Sequence, residues 1–89
     1  MKIDLVVEPD RPEHIARHGV RVSEVREVVE SVEYAVTVKK GVLRLVGQTD
    51  GGRYLTVFIG SRGGSLYGLI TARAATDSEK RGVWRRKRR

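Results

Sequence analysis
The 89-residue chain contains no cysteine, which removes thiol nucleophiles, disulfide frameworks and the usual zinc sites together. Its chemistry falls to His, Arg, Lys, Glu, Asp, Tyr, Ser and Thr. His14 and His18 stand four apart, as metal ligands on a helix do, but no acid lies between them in the zinc-protease pattern. Ser61-Arg62-Gly63-Gly64-Ser65 lacks the Gly-Lys-Ser/Thr ending of a phosphate-cradling loop and reads as a hairpin turn. No metal and no cofactor are therefore expected. The clearest chemical signal is charge. Residues 1–79 are electrically balanced, and the net +7 resides in Lys80, Arg81, Arg85, Arg86, Lys87, Arg88 and Arg89. Such density suits a polyanion, nucleic acid above all, and names a kind of partner without naming a reaction.

A chain this short forms one domain over residues 1–89 with a small core, and the basic stretch 80–89 is expected to fray in part without a polyanion. No run approaches the roughly 18 apolar residues of a membrane span. The first residues carry acids where a secretory signal carries bases, so a cytoplasmic location and no membrane partner are expected.

Lys2–Val7 reads as a short strand. Asp10, Pro12 and Glu13 suggest a capped helix that ends at Gly19, and Val25, Val28, Val29 and Val32 mark an amphipathic helix from Ser23. From Tyr34 to Arg73 the period becomes two, and turns at Lys39-Lys40-Gly41, Asp50-Gly51-Gly52 and Ser61–Gly64 separate four strands of an antiparallel meander. Simple alternation assigns Tyr34, Val36, Val38, Leu43, Leu45, Leu55, Val57, Ile59, Leu66, Ile70 and Ala72 to a helix-covered face. The other face, with Arg44, Val46, Tyr54, Thr56, Phe58, Tyr67, Leu69, Thr71 and Arg73, is expected to stay open to a ligand. Thr76 and Glu79 then form a capping-box signature for a last helix, which Gly82 weakens by about 1 kcal/mol relative to alanine. The fold class is α+β.

Five segments stand in one order: Glu13–Val20 (EHIARHGV), Ser23–Val25, Gly47–Leu55 (GQTDGGRYL), Ile70–Ala74 (ITARA) and Glu79–Arg81. Together, over about residues 13–81, they resemble the BrnT-like toxins of bacterial type II toxin-antitoxin systems, in the RelE/ParE-like superfamily. The resemblance implies a RelE-like fold with two short N-terminal helices on a four-stranded meander, an extra N-terminal strand and a C-terminal helix. It also implies ribonuclease activity that inhibits translation, on RNA that is free or ribosome-bound. A cognate antitoxin is the implied protein partner, and a toxin–antitoxin heterotetramer is one assembly it allows. By position, His18 matches the family's His-Gly-Val histidine, Arg53 its Gly-Arg arginine, Arg73 its Ala-Arg arginine and Arg81 the basic residue after Glu79. Where relatives often carry an aromatic after that basic pair, this chain has Gly82 and Val83, with Trp84 following.

Metal-free RNA cleavage, which the resemblance implies, needs a proton removed from the 2'-hydroxyl, another donated, and a phosphorane stabilised. Arginine forks suit the last task at about 3 kcal/mol per preorganised donor. Arg73 ends one strand and Arg53 begins its neighbour, so antiparallel pairing is expected to bring the two together. His18 suits proton transfer, though a histidine before a helix-ending glycine also serves as a cap. Glu79 is a second candidate base, which its capping position equally explains. RNA contacts are expected from Arg44, Tyr54, Tyr67, Arg81, Arg85, Arg86, Lys87 and Arg88. Two other classes also fit the sequence: a non-catalytic nucleic-acid-binding module, and a protein-interaction domain. Some members of the superfamily poison DNA gyrase, so fold alone does not fix the reaction.

Overall fold
The computed structural model describes residues 2–32 and 34–87. Its elements are β1 (Asp4–Val6), α1 (Arg11–Ala16), α2 (Val22–Glu30), β2 (Tyr34–Lys39), β3 (Val42–Gln48), β4 (Tyr54–Ser61), β5 (Leu66–Ala74) and α3 (Asp77–Lys87). Strands β2 to β5 form the expected antiparallel meander, and β1 joins β5 in parallel, giving the order β1-β5-β4-β3-β2. No helix among the described residues is long and apolar enough to cross a membrane.

The core lies between one sheet face and helices α1 and α2. Ile15, Val25 and Val28 are buried against Leu45, Leu55, Val57, Ile59, Leu69 and Ala72. Each of the valine, leucine and isoleucine side chains contributes roughly 1.5–3 kcal/mol by leaving water. The chain turns from α1 into α2 at Gly19, whose φ of +73° suits glycine. Its N–H donates to Ala16 (2.9 Å) while that of Val20 reaches Ile15 (3.1 Å), which closes the helix end and buries Val20 beside Ile15. The capping box expected at Asp10 does not form. The Asp10 carboxylate instead takes the Arg11 guanidinium at 2.8 and 3.2 Å, and its backbone is already helical.

Helix α3 crosses the opposite face, over β3 and β2, so this protein has three layers. Val83 is fully buried there, as are Val46 and Thr56 beneath the helix. Gly82 lets the helix come close, because a Cβ at that position would lie 3.2 Å from the Tyr34 ring. The face expected to be open is therefore covered over β3 and β2, and the apolar demand on both sides explains two further departures. On β2, Ala35 pairs with Leu45 on the core face, which turns Tyr34 and Val36 toward the α3 side. On β5, a bulge places Thr71 opposite Phe58 and Leu69 opposite Ile59, with Ile70 as the extra residue. A bulge inverts the alternation before it. Leu69 and Tyr67 therefore join the α1–α2 core, and Leu66 and Ile70 become exposed.

Candidate functional site
Past the bulge, β5 carries Thr71 and Arg73 on the α3 face, opposite Phe58 and Thr56 of β4. The chain then turns through Ala75 and Thr76 into α3, whose first turn swings Glu79 back over the strand it has just left. The capping box expected at Thr76 is present. The Glu79 N–H donates to Thr76 Oγ1 at 3.2 Å, and the Thr76 N–H donates to Glu79 Oε1 at 2.8 Å.

Glu79 does more than cap. It is buried, and Arg73 grips it with both ends of its fork, Nη1 to Oε1 at 2.8 Å and Nη2 to Oε2 at 3.0 Å. Thr56 adds a hydroxyl donor to Oε1 at 2.8 Å, and Arg44 Nε stands 3.9 Å from Oε2. Burial alone would push this carboxyl up. The donors from Arg73, Thr76 and Thr56 outweigh it and bring Glu79 from 4.5 down to about 2. Glu79 in turn raises Arg73 above the usual arginine value, against the opposing effect of burial. The result is a fixed guanidinium, about 5.5 Å from the Phe58 ring centroid, with its Nε–H making no hydrogen bond among the described residues. A bidentate anchor on one edge of arginine leaves another edge for a phosphate oxygen.

An imidazole reaches the same face from the edge of the sheet. Beyond the three residues of β1, β5 has no strand neighbour on its outer side among the described residues, and α1 lies against it there. Arg11 Nη1 donates to the carbonyl of the bulge residue Ile70 at 2.7 Å, and His14 Nε2 lies 3.0 Å from Thr71 Oγ1. The exposed His18 ring stands edge-on to His14 with centroids 5.6 Å apart. His14 thus touches the strand that carries Arg73. The helical spacing of His14 and His18 was the available signal.

Arg53 lies elsewhere. It shares the parity of Leu55, so its side chain leaves the sheet toward α1 and α2, donating to the Gly19 carbonyl at 2.7 Å and standing 3.4 Å from the Glu24 carboxylate. The sheet separates it from Arg73, and the expected convergence of the two arginines is not found. Arg53 instead ties down the turn that follows His18.

Of the side chains expected to meet RNA, Arg44 and Tyr54 are on the α3 face, and Tyr54 OH accepts the Trp84 indole N–H at 3.1 Å. Tyr67 is not, because the bulge turns it into the core. Arg81, Arg85 and Arg86 are exposed along α3, with Arg86 about 5.5 Å from the Tyr34 ring centroid. Arg88 and the side chain of Lys87 lie outside the described residues.

The architecture matches that of the Brucella abortus ribonuclease toxin BrnT with a TM-score of 0.62, over 86% of this chain and 99% of the toxin, at 24% sequence identity. The chain has the BrnT-like fold. No family model matches the sequence, nor does any curated protein. The resemblance carried by the five short segments is thus borne out in the fold, with α3 packed on the far face of the sheet from α1 and α2.

Proposed function
We propose that this protein is a BrnT-like toxin that cleaves RNA without a metal ion, inhibits translation in the cytoplasm, and is neutralised by a cognate antitoxin. The fold shared with a ribonuclease toxin supports the class. The observation that carries the chemistry is Arg73, held at both ends of its fork by a buried carboxylate and presenting its remaining edge on a partly open face. Such a cation loses nothing to reorganisation as negative charge develops on the phosphoryl oxygens.

In this reading the scissile phosphate rests on the Nε edge of Arg73. An imidazole of the His14–His18 pair takes the 2'-hydroxyl proton as that oxygen bonds to phosphorus. The bond to the 5'-oxygen breaks, and the leaving oxygen takes a proton from water. The products are a 2',3'-cyclic phosphate and a 5'-hydroxyl. Glu79, ionised at neutral pH and engaged by four donors, acts by positioning Arg73. Arg53 acts through the Gly19 carbonyl, one residue from His18. Exposed Arg81 and Arg85 on α3, with Tyr54 beside Trp84, extend the track for the polyanion.

Single-turnover cleavage of a labelled RNA tests this. Arg73→Ala is expected to lose about 10²–10³-fold in rate, and Arg73→Lys to recover only part of it, because an ammonium cannot replace the planar fork. A folded Arg73→Ala that cuts at the wild-type rate refutes the assignment.

A further inference from the structure
Arg44 carries an unpaired donor beside this site. It stands on β3 opposite Phe58, and its Nε is buried without a hydrogen-bond partner. Native folds rarely leave a buried N–H in that state. The nearest carboxylate oxygen, Glu79 Oε2, is 3.9 Å away, beyond hydrogen-bonding distance. Glu79 is committed elsewhere: its Oε1 takes Arg73, Thr56 and the Thr76 N–H, and its Oε2 takes Arg73.

The charge count points the same way. Two guanidinium groups, Arg44 and Arg73, share one carboxylate, which leaves one positive charge on a half-buried surface. That is the complement of one phosphodiester. The two arginines approach Phe58 from the strands on either side of β4, Arg44 as its cross-strand partner and Arg73 about 5.5 Å from the ring centroid. An aromatic ring between two cations fits a base stacked beside its own phosphate. A carboxylate ligand would have no use for the ring.

We propose that Arg44 and Arg73 form a paired phosphodiester site floored by Phe58, in which Arg44 supplies the second direct grip on the substrate. The proposal rests on the RNA-directed reading above and names the residue that holds the chain there. When phosphate draws on the outer edge of Arg73, Arg44 closes on that same phosphate, which gives its orphaned N–H a partner.

The test is fluorescence anisotropy of the full chain with a 2'-O-methyl RNA oligonucleotide, which binds as RNA but lacks the attacking hydroxyl. Arg44→Gln is expected to weaken binding about tenfold and to make the logarithmic salt dependence shallower by about one phosphate contact. Arg26→Gln removes the same charge from the exposed side of α2, in the opposite layer, and is expected to cost less than about twofold. Should Arg44→Gln fail to fold, Arg44→Lys keeps the charge without the fork, and a several-fold loss is expected. A loss in Arg44→Gln no larger than in Arg26→Gln, or wild-type affinity in Arg44→Lys, overturns the site. Because the probe cannot be cut, Arg44-dependent binding by a protein that leaves native RNA intact sustains this site while the ribonuclease reading falls.

Discussion

Replacing Glu79 by glutamine keeps the shape of the side chain and removes its charge, which isolates the electrostatics of the Arg73 anchor. The carboxyl titrates at 4.5 when free and about 2 in the folded chain. At about 1.4 kcal/mol per unit, that difference is worth roughly 3 kcal/mol of stability at neutral pH. Because the Arg73 side chain is 38% exposed, solvent screens part of the attraction, and about 2–3 kcal/mol is the working figure. The sign follows from the lowered value. A depressed carboxyl stabilises fully above its unfolded pKa, and the contribution disappears as pH falls from 4.5 toward about 2. Urea denaturation of wild type and Glu79→Gln across that range measures it, since the other acids titrate in both proteins and cancel. The wild type should lead by about 2–3 kcal/mol at neutral pH, and the two curves should converge at the acid end. A gap that stays constant down to pH about 2 would refute the ionised anchor.

Two other substitutions probe the frame around the site. Arg53→Ala unties the Gly19 carbonyl and Glu24, at an expected cost of about 1–2 kcal/mol in denaturation. Its cleavage rate per folded molecule should fall much less than that of Arg73→Ala, and equal losses would contradict their placement on opposite faces of the sheet. Gly82→Ala would ordinarily gain about 1 kcal/mol in a helix. Here the added Cβ meets the Tyr34 ring at 3.2 Å, so no gain is expected in a thermal melt. A rise by the full helix-propensity amount would show that α3 does not press on β2 as described.

Element order was legible in the sequence because it is written in local signals: period-two runs between glycine turns, valines at helical spacing, and Thr76 with Glu79 at capping distance. Side-chain facing was less so. Alternation along β5 reads cleanly through Ile70, and nothing local marks that residue as a bulge, yet it moves Tyr67 and Leu69 to the core. Which face α3 would cover was equally hidden, since a short basic helix with little apolar surface discloses no docking side. Arg53 is a different case. It lies two residues before Leu55 and so shares its face, which sets it on the far side of the sheet from Arg73 by parity alone. The link between Arg73 and Glu79 joins two signals that were visible singly, an arginine at a strand exit and a capping glutamate. Only the turn through Ala75 and Thr76 closes them on each other. The orphaned N–H of Arg44 depends on a separation of 3.9 Å and has no counterpart in sequence.

Whether this protein cleaves RNA without a metal is decided by incubating the purified, antitoxin-free protein with RNA in EDTA and identifying the new ends. Metal-free attack by the 2'-hydroxyl leaves 2',3'-cyclic phosphate and 5'-hydroxyl termini, and these are the expected ends. Cleavage that requires added divalent metal, 5'-phosphate ends, or RNA left intact both free and on translating ribosomes would contradict it.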